Sequence, residues 1–308
     1  MSRRALGPAG VSGGSAGWVP DPGRVVSVVA AHAGCGASTL ALALATAAGC
    51  PARVIECASA TASGLAAAST AELGVDDAGW ARGRRDAVIV ERVGEVIWSV
   101  GEVPTPGRSA VEVTVLDVAW DAGQVLGTAS WLADQVATDS ARVVVVASMT
   151  VPGMRRLEET LALLGADRVV AALVGPAPGR RLARAVAGSA GPRTRHLDRA
   201  GRCVRVAWDR RLAVTGVDSA PLPRALLTSA HRLLTIPLPT QPPPLPGPAT
   251  AGAAPAAPVI GGPGGLGGWP TRTRIPRSPG PSSPSSPSSP VHRPSPASNR
   301  TFLPEVVS

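Results

Sequence analysis

Lysine and tyrosine are absent from the 308 residues, and phenylalanine and asparagine occur once each, as Phe302 and Asn299. All 30 positive side chains are therefore arginine. The missing types are those with AT-rich codons, as expected of a GC-rich coding sequence. Such a bias exchanges Lys for Arg, so it does not account for a small apolar residue where chemistry wants a cation. Cysteine is sparse as well. Cys35, Cys50, Cys57 and Cys203 form no CxxC pair and no metal-ligand spacing with the four histidines. A zinc site and a disulfide framework are thereby disfavoured, and a reduced, cytoplasmic setting is expected. No apolar run reaches the roughly 18 residues of a spanning helix, and "MSRRALGPAGVSGGSAGWVP" lacks a signal-type apolar region, so no membrane span is expected.

The formal charge of +9 is unevenly spread. Residues 25–179 carry ten arginines against sixteen acids, whereas residues 180–211 carry ten arginines against two aspartates. The basic character is local.

Residues 1–23 are Gly/Ala/Ser/Pro-rich without apolar periodicity and are expected to form a flexible lead. From residue 24, short β-branched runs alternate with Ala/Leu-rich stretches of helical length: "VVSVVAA" (25–31), "STLALALATAA" (38–48), "RVIEC" (53–57), then "AVIVERVGEVIWSV" (87–100), read as two strands turning at Gly94. The alternation continues through "VEVTVLDVA" (111–119), "TASWLADQVA" (128–137), "RVVVVAS" (142–148), "VPGMRRLEETLALLG" (151–165), "DRVVAALVG" (167–175) and "RCVRVAW" (202–208). Apolar runs without polar alternation are strands covered on both faces, and the helical segments supply the crossovers. The expected class is α/β, a doubly wound, mostly parallel sheet. Its domain is expected to span 24–237, followed by a Pro/Ser/Gly-rich disordered tail over 238–308, either an inert solubilising segment or a segment for a protein partner.

The stretch "AAHAGCGASTLALALA" (30–45) carries the chemistry. Phosphate binding needs closely spaced backbone N–H groups at a helix N-terminus, with glycine where a side chain would block oxygens. Gly34 and Gly36 offer that freedom between a buried-type strand and a helix. Ser38 stands where a hydroxyl can ligate Mg²⁺, with Thr39 behind it. Two uses remain open, a phosphate cradle or a tight strand-to-helix turn alone.

This loop resembles the deviant Walker A motif, KGGxGK[ST][ST], of the MinD/ParA group of P-loop ATPases. On that motif His32 falls at the first lysine and Ala33 at the first glycine; Gly34 and Gly36 match, Cys35 is the free position, Ala37 replaces the second lysine, and Ser38 and Thr39 match. The resemblance covers roughly 24–237. "VTVLDVAWDAG" resembles the Walker B strand and its switch, which implies a metal role for Asp117, beside the alternative of a strand-end or helix-capping acid, and puts Gly123 near the γ-phosphate side. "VRVAWDRRLAVTGVDSAPLPRAL" resembles the closing strand, the Asp-containing loop near the base and the last helix. The resemblance implies a three-layer P-loop sandwich and ATP with Mg²⁺ as cofactors.

Departures from the family are several. Both loop lysines are missing, the acidic pair that closes the second strand is reduced to Glu56, and "AALVGPAPG" lacks the base-reading Asn. Loss of one charged hydrogen bond, worth about 1.5–3 kcal/mol, weakens triphosphate binding by roughly 10- to 150-fold. The chain is thus identified as a degenerate member, a nucleotide-binding switch or scaffold with weak or absent hydrolysis, linked to DNA or plasmid partition or mobile-element transfer. The alternative is a pseudo-ATPase interaction protein that binds no nucleotide. A homodimer is an expected assembly. Within the basic stretch, Arg180, Arg181, Arg184, Arg193 and Arg195 are candidate contacts to DNA phosphates, against the alternative of a solvated face. Cys35 is a candidate reactive thiol at a helix N-terminus, and Trp120, Trp131 and Trp208 are expected in core or interface positions ahead of the alternative of a base-stacking platform.

Overall fold

In the computed structural model of the chain, the residues described are 18–19, 23–138, 142–176 and 179–238. Most of the expected lead (1–23) and all but the first residue of the expected tail (238–308) lie outside them. The elements follow the order β1 (Arg24–Ala30), α1 (Ala37–Ala47), β2 (Ala52–Glu56), β3 (Ala71–Val75), β4 (Trp80–Arg85), β5 (Val88–Val93), β6 (Val113–Asp117), α2 (Ala122–Leu126), α3 (Trp131–Ala137), β7 (Arg142–Ser148), α4 (Val151–Leu164), β8 (Val169–Val174), α5 (Arg180–Gly188), α6 (Pro192–Arg199), β9 (Cys203–Val206), α7 (Arg210–Thr215) and α8 (Arg224–Thr235).

One nine-stranded sheet runs in the order β3-β4-β5-β2-β6-β1-β7-β8-β9. The strands from β5 to β9 in this order are parallel, and β4 and β3 add an antiparallel edge. The doubly wound α/β class follows directly from the apolar runs. Val26, Val28, Val54, Val115, Val144 and Val170 meet α1 and α8 on one face. Val29, Ile55, Leu116, Val143, Val145 and Val169 meet residues of α2, α3, α4 and α6 on the other. Burial on both faces removes the need for polar alternation along a strand. In α1, "ASTLALALATA", the alanines are small enough for the helix to lie against the sheet while α8 covers its back.

Two expectations are corrected. Residues 87–100 hold one strand, β5, whose hairpin partner is the preceding β4; the turn falls at Asp86, with φ 51°, and not at Gly94. The sequence signal was weak because β3, "AELGV", is exposed along its whole length and β4, "WARGRR", is largely cationic. The packed chain also reaches back to Trp18, inside the segment expected to be a flexible lead. Its indole packs edge-on to Trp131 with centroids 5.3 Å apart and lies 5.7 Å from the Arg53 guanidinium. The Gln135 side-chain amide donates to the Trp18 carbonyl at 3.0 Å. A single buried aromatic makes these contacts without any local periodicity for a sequence pattern to show.

Candidate functional site

Parallel strands all end on one side of the sheet, and the loops leaving β1, β2, β6 and β9 meet there. The loop from β1 to α1 turns through Gly34 (φ 74°) and Gly36 (φ 93°), left-handed conformations that a side chain would strain. Gly36 is the N-cap of α1, no side chain caps that helix and its first turn holds no acid, an end whose electrostatics suit an anion. The loop rims a cavity of about 550 Å³ to which His32, Ala33, Gly34, Cys35, Gly36, Ala37, Ser38 and Thr39 all contribute. No arginine lines this cavity among the described residues, and the chain has no lysine.

His32 does not supply the missing cation's reach. The Ser148 backbone N–H donates to its Nε2 at 3.3 Å, which makes Nε2 the acceptor of the Ser148 hydroxyl as well, at 2.9 Å. Nδ1 then donates to the Ala33 carbonyl at 2.9 Å, so both ring nitrogens are engaged within the protein. Cys35 is buried, and burial pushes its thiol above the ordinary range, the opposite of an activated thiolate.

Asp117 lines the cavity, with Glu56 beside it behind the lining. Glu56 and Asp117 are register partners at the carboxyl ends of β2 and β6, on the sheet face that α1 covers. Glu56 is fully engaged: Oε1 accepts from the Gly64 and Leu65 N–H groups at 2.6 and 3.1 Å, and Oε2 from the Ser63 hydroxyl at 2.5 Å. Its carboxylate thus fixes the loop 63–65 against the start of α1. At Gly64 the approach is so close that a Cβ would stand 3.0 Å from the Ser38 hydroxyl. Burial raises the Glu56 pKa, and these hydrogen bonds oppose the rise.

Asp117 is fully buried, and neither carboxylate oxygen has a hydrogen-bond partner of ordinary geometry. Burial first, and the neighbouring Glu56 charge second, push its pKa up to about 7, while the Ser38 hydroxyl beside it favours the charged form. A buried, unpartnered carboxyl facing a hydroxyl costs stability unless something cationic completes it. Ser38 and Asp117 are therefore the pair that would hold a hydrated Mg²⁺. Just past Asp117, Ala119 has φ 57°, a strained value for a residue with a side chain. The Trp120 indole donates to the Cys57 carbonyl at 2.7 Å, tying this turn to the end of β2. Asp121 caps α2, and the Gly123 N–H is one of the groups it accepts, at 2.8 Å.

The far wall is apolar: Val174, Val206, Ala207, Leu212, Ala213, Val217 and Leu226, with Trp208 and Asp209 at its rim. Trp131 is buried as expected. Trp208 lies outside the core, 43% exposed, and lines the cavity. Sequence reasoning missed Gly64 and the anchoring role of Glu56, whose partners lie seven to nine residues downstream; only an isolated acid at a strand end hinted at it.

The arginine stretch divides. Arg202 is buried and holds the carbonyls of Ala166, Asp167 and Val169. Arg193 is paired with Glu158 at 3.4 Å, and the Arg195 guanidinium holds the Ala190 carbonyl. Arg181 and Arg184 on α5 are exposed, and Arg180 opens that helix. Among the described residues no group of three or more His, Cys, Asp or Glu could hold a metal, and no helix is long and apolar enough to cross a membrane.

Strand order and helix placement define a doubly wound α/β protein with a glycine-turned loop at the carboxyl end of β1. No family model and no curated protein sequence matches the chain. Among solved structures it is similar to one described as a plasmid partition protein of Borrelia burgdorferi B31 bound to AMPPNP, at 11% identity over 70% of this chain and 98% of that one, with a TM-score of 0.44. It is also similar to the MinC:MinD cell division protein complex of Aquifex aeolicus, at 12% identity over 71% and 99%, TM-score 0.42. A third is apo McdA of Cyanthece, at 10% identity over 68% and 99%, TM-score 0.42. The fold itself is fixed by the chain's own strand order.

Proposed function

We propose that this chain is a degenerate MinD/ParA-like switch or scaffold that binds a magnesium nucleotide through main-chain amides and hydrolyses it slowly or not at all. The observation that carries this reading is Asp117: a fully buried carboxyl facing the Ser38 hydroxyl, beneath an uncapped helix N-terminus on an open cavity. Ser38 and Asp117 would hold the ion, and the N–H groups of residues 34–39 would face phosphate oxygens. A bound Mg²⁺ would supply the positive charge that the lysines of the resembled motif otherwise share. Ala37 leaves the terminal phosphate without a cation. Glu56, tied to residues 63–65, has no free oxygen with which to orient a water molecule. Binding without efficient turnover is what this residue set supports.

Isothermal titration with ATP and ADP, with and without Mg²⁺, tests the reading; magnesium-dependent binding is expected, and no heat at several millimolar nucleotide overturns it. A second reading, an interaction protein that binds no nucleotide, is favoured by the absence of any Lys or Arg from the cavity lining among the described residues. Thermal shift separates the two, since a ligand of the folded state alone must raise the melting temperature. We place the protein in the cytoplasm as a homodimer serving partition or mobile-element transfer. Contact with DNA through exposed Arg181 and Arg184 belongs to this reading and predicts a gel shift lost at high salt.

A further inference from the structure

The cavity has two unlike ends. Loop amides, Ser38 and Asp117 make the phosphate end, and the wall formed by β8, β9 and α7 lies across from it. At about 550 Å³ the space exceeds what a phosphate chain alone would fill. The far wall offers methyl and methylene groups from Val174, Val206, Leu212, Val217 and Leu226, and a single large π-surface, Trp208. Trp208 sits on the loop that leaves β9, and the backbone N–H of the preceding Ala207 is anchored by the Ser229 hydroxyl at 3.2 Å. The following Asp209 caps α7 by accepting the Leu212 N–H at 2.9 Å. The indole is thus carried by a short segment fixed on both sides, while its ring remains 43% exposed. Among the described residues no Asn, Gln, Ser or Thr side chain lines this end of the cavity, where the polar groups are the Trp208 indole N–H and the capping Asp209.

We infer that Trp208 is the platform on which the base of a bound nucleotide stacks, and that the site accepts purine nucleotides without selecting between adenine and guanine. This rests on the nucleotide reading above and extends it to the base. Hydrogen-bonding sites reject a wrong base steeply because buried polar partners are left unpaired. Stacking tolerates any base, since every base has a π-face, and a stacked base is worth about 1–3 kcal/mol, or roughly 5- to 150-fold in affinity. Two purines of equal stacking area should then bind almost alike.

The test is titration of the full chain with Mg²⁺ and ATP, GTP or inorganic tripolyphosphate, followed by tryptophan fluorescence and calorimetry, on wild type, Trp208→Ala and Trp208→Phe. Expected are ATP and GTP affinities within about threefold of each other, with quenching of the wild-type emission. Trp208→Ala should weaken both nucleotides by roughly 5- to 150-fold and leave tripolyphosphate unchanged, while Trp208→Phe retains most of the affinity and loses the quench. Nucleotide affinity unaffected by Trp208→Ala, or a tenfold or larger preference for either purine in the wild type, overturns the inference while leaving the phosphate site intact. Failure of every ligand, tripolyphosphate included, overturns the nucleotide reading itself.

Discussion

At the scale of the residue, Asp117 sets a conflict between stability and binding. Its pKa in the folded chain is about 7 against an ordinary 3.8, so folding favours the protonated form. The corresponding stability is fully present below about pH 3.8 and is lost as pH rises through about 7. Asp117→Asn removes the ionisable group while keeping its shape. In metal-free protein the variant should melt several degrees above wild type at pH 8, with the difference shrinking toward pH 5, as scanning fluorimetry would record. The same variant should lose the magnesium-dependent part of nucleotide stabilisation, and a variant that merely relieved strain would keep it. Ala37 makes the complementary case. It lies at the start of α1, lines the cavity and has only a methyl group to offer a phosphate. Restoring a cation with Ala37→Lys should tighten triphosphate binding by roughly 10- to 150-fold, read by calorimetry, with less effect on the diphosphate.

At the scale of the element, the antiparallel edge is more than decoration on the parallel sheet. Arg85, at the end of β4, is buried and donates to the carbonyls of Ala68, Asp218 and Ala220, with distances of 3.0 and 2.6 Å to the first two. It thereby fastens the segment before α8, which begins at the cavity-lining Gly216 and Val217, to the hairpin. Arg85→Ala should lower the unfolding free energy by about 2–4 kcal/mol in urea and speed hydrogen exchange across residues 216–222, with β1 unaffected. None of this was legible in the sequence, because an arginine that grips carbonyls 17, 133 and 135 residues away leaves no periodic trace. The parallel strands were legible for the opposite reason: runs such as "VVSVVAA" and "RVVVVAS" are apolar on both faces and have one structural use. The strand-to-helix turn was legible through Gly34 and Gly36, whereas Asp117 stood out only through the order of the motifs that the chain resembles. Glu56 stayed ambiguous until its register with Asp117 was known, and the place of Trp208 on the cavity was hidden because it depends on how β9 hands over to α7.

At the scale of the whole molecule, the proposed reading keeps the geometry of a nucleotide site and gives up its hydrolytic chemistry. A switch that hydrolyses its ligand resets itself; one that only binds resets by exchange. Efficient phosphoryl transfer needs a cation against the developing charge and a group to orient the nucleophile. The cavity lining has no arginine among the described residues, and Glu56 is spent on holding residues 63–65. Its state should therefore follow nucleotide concentration directly, as a binding equilibrium. A ligand at 100 times its Kd stabilises the folded state by about 2.7 kcal/mol, which for a domain of this size is roughly 5–10 °C in Tm. With Mg²⁺ and saturating ATP the chain should show that shift while releasing phosphate no faster than the buffer. Release above background that disappears in Asp117→Ala would mean instead that a second subunit brings the missing arginine, and that the dismantling is only apparent.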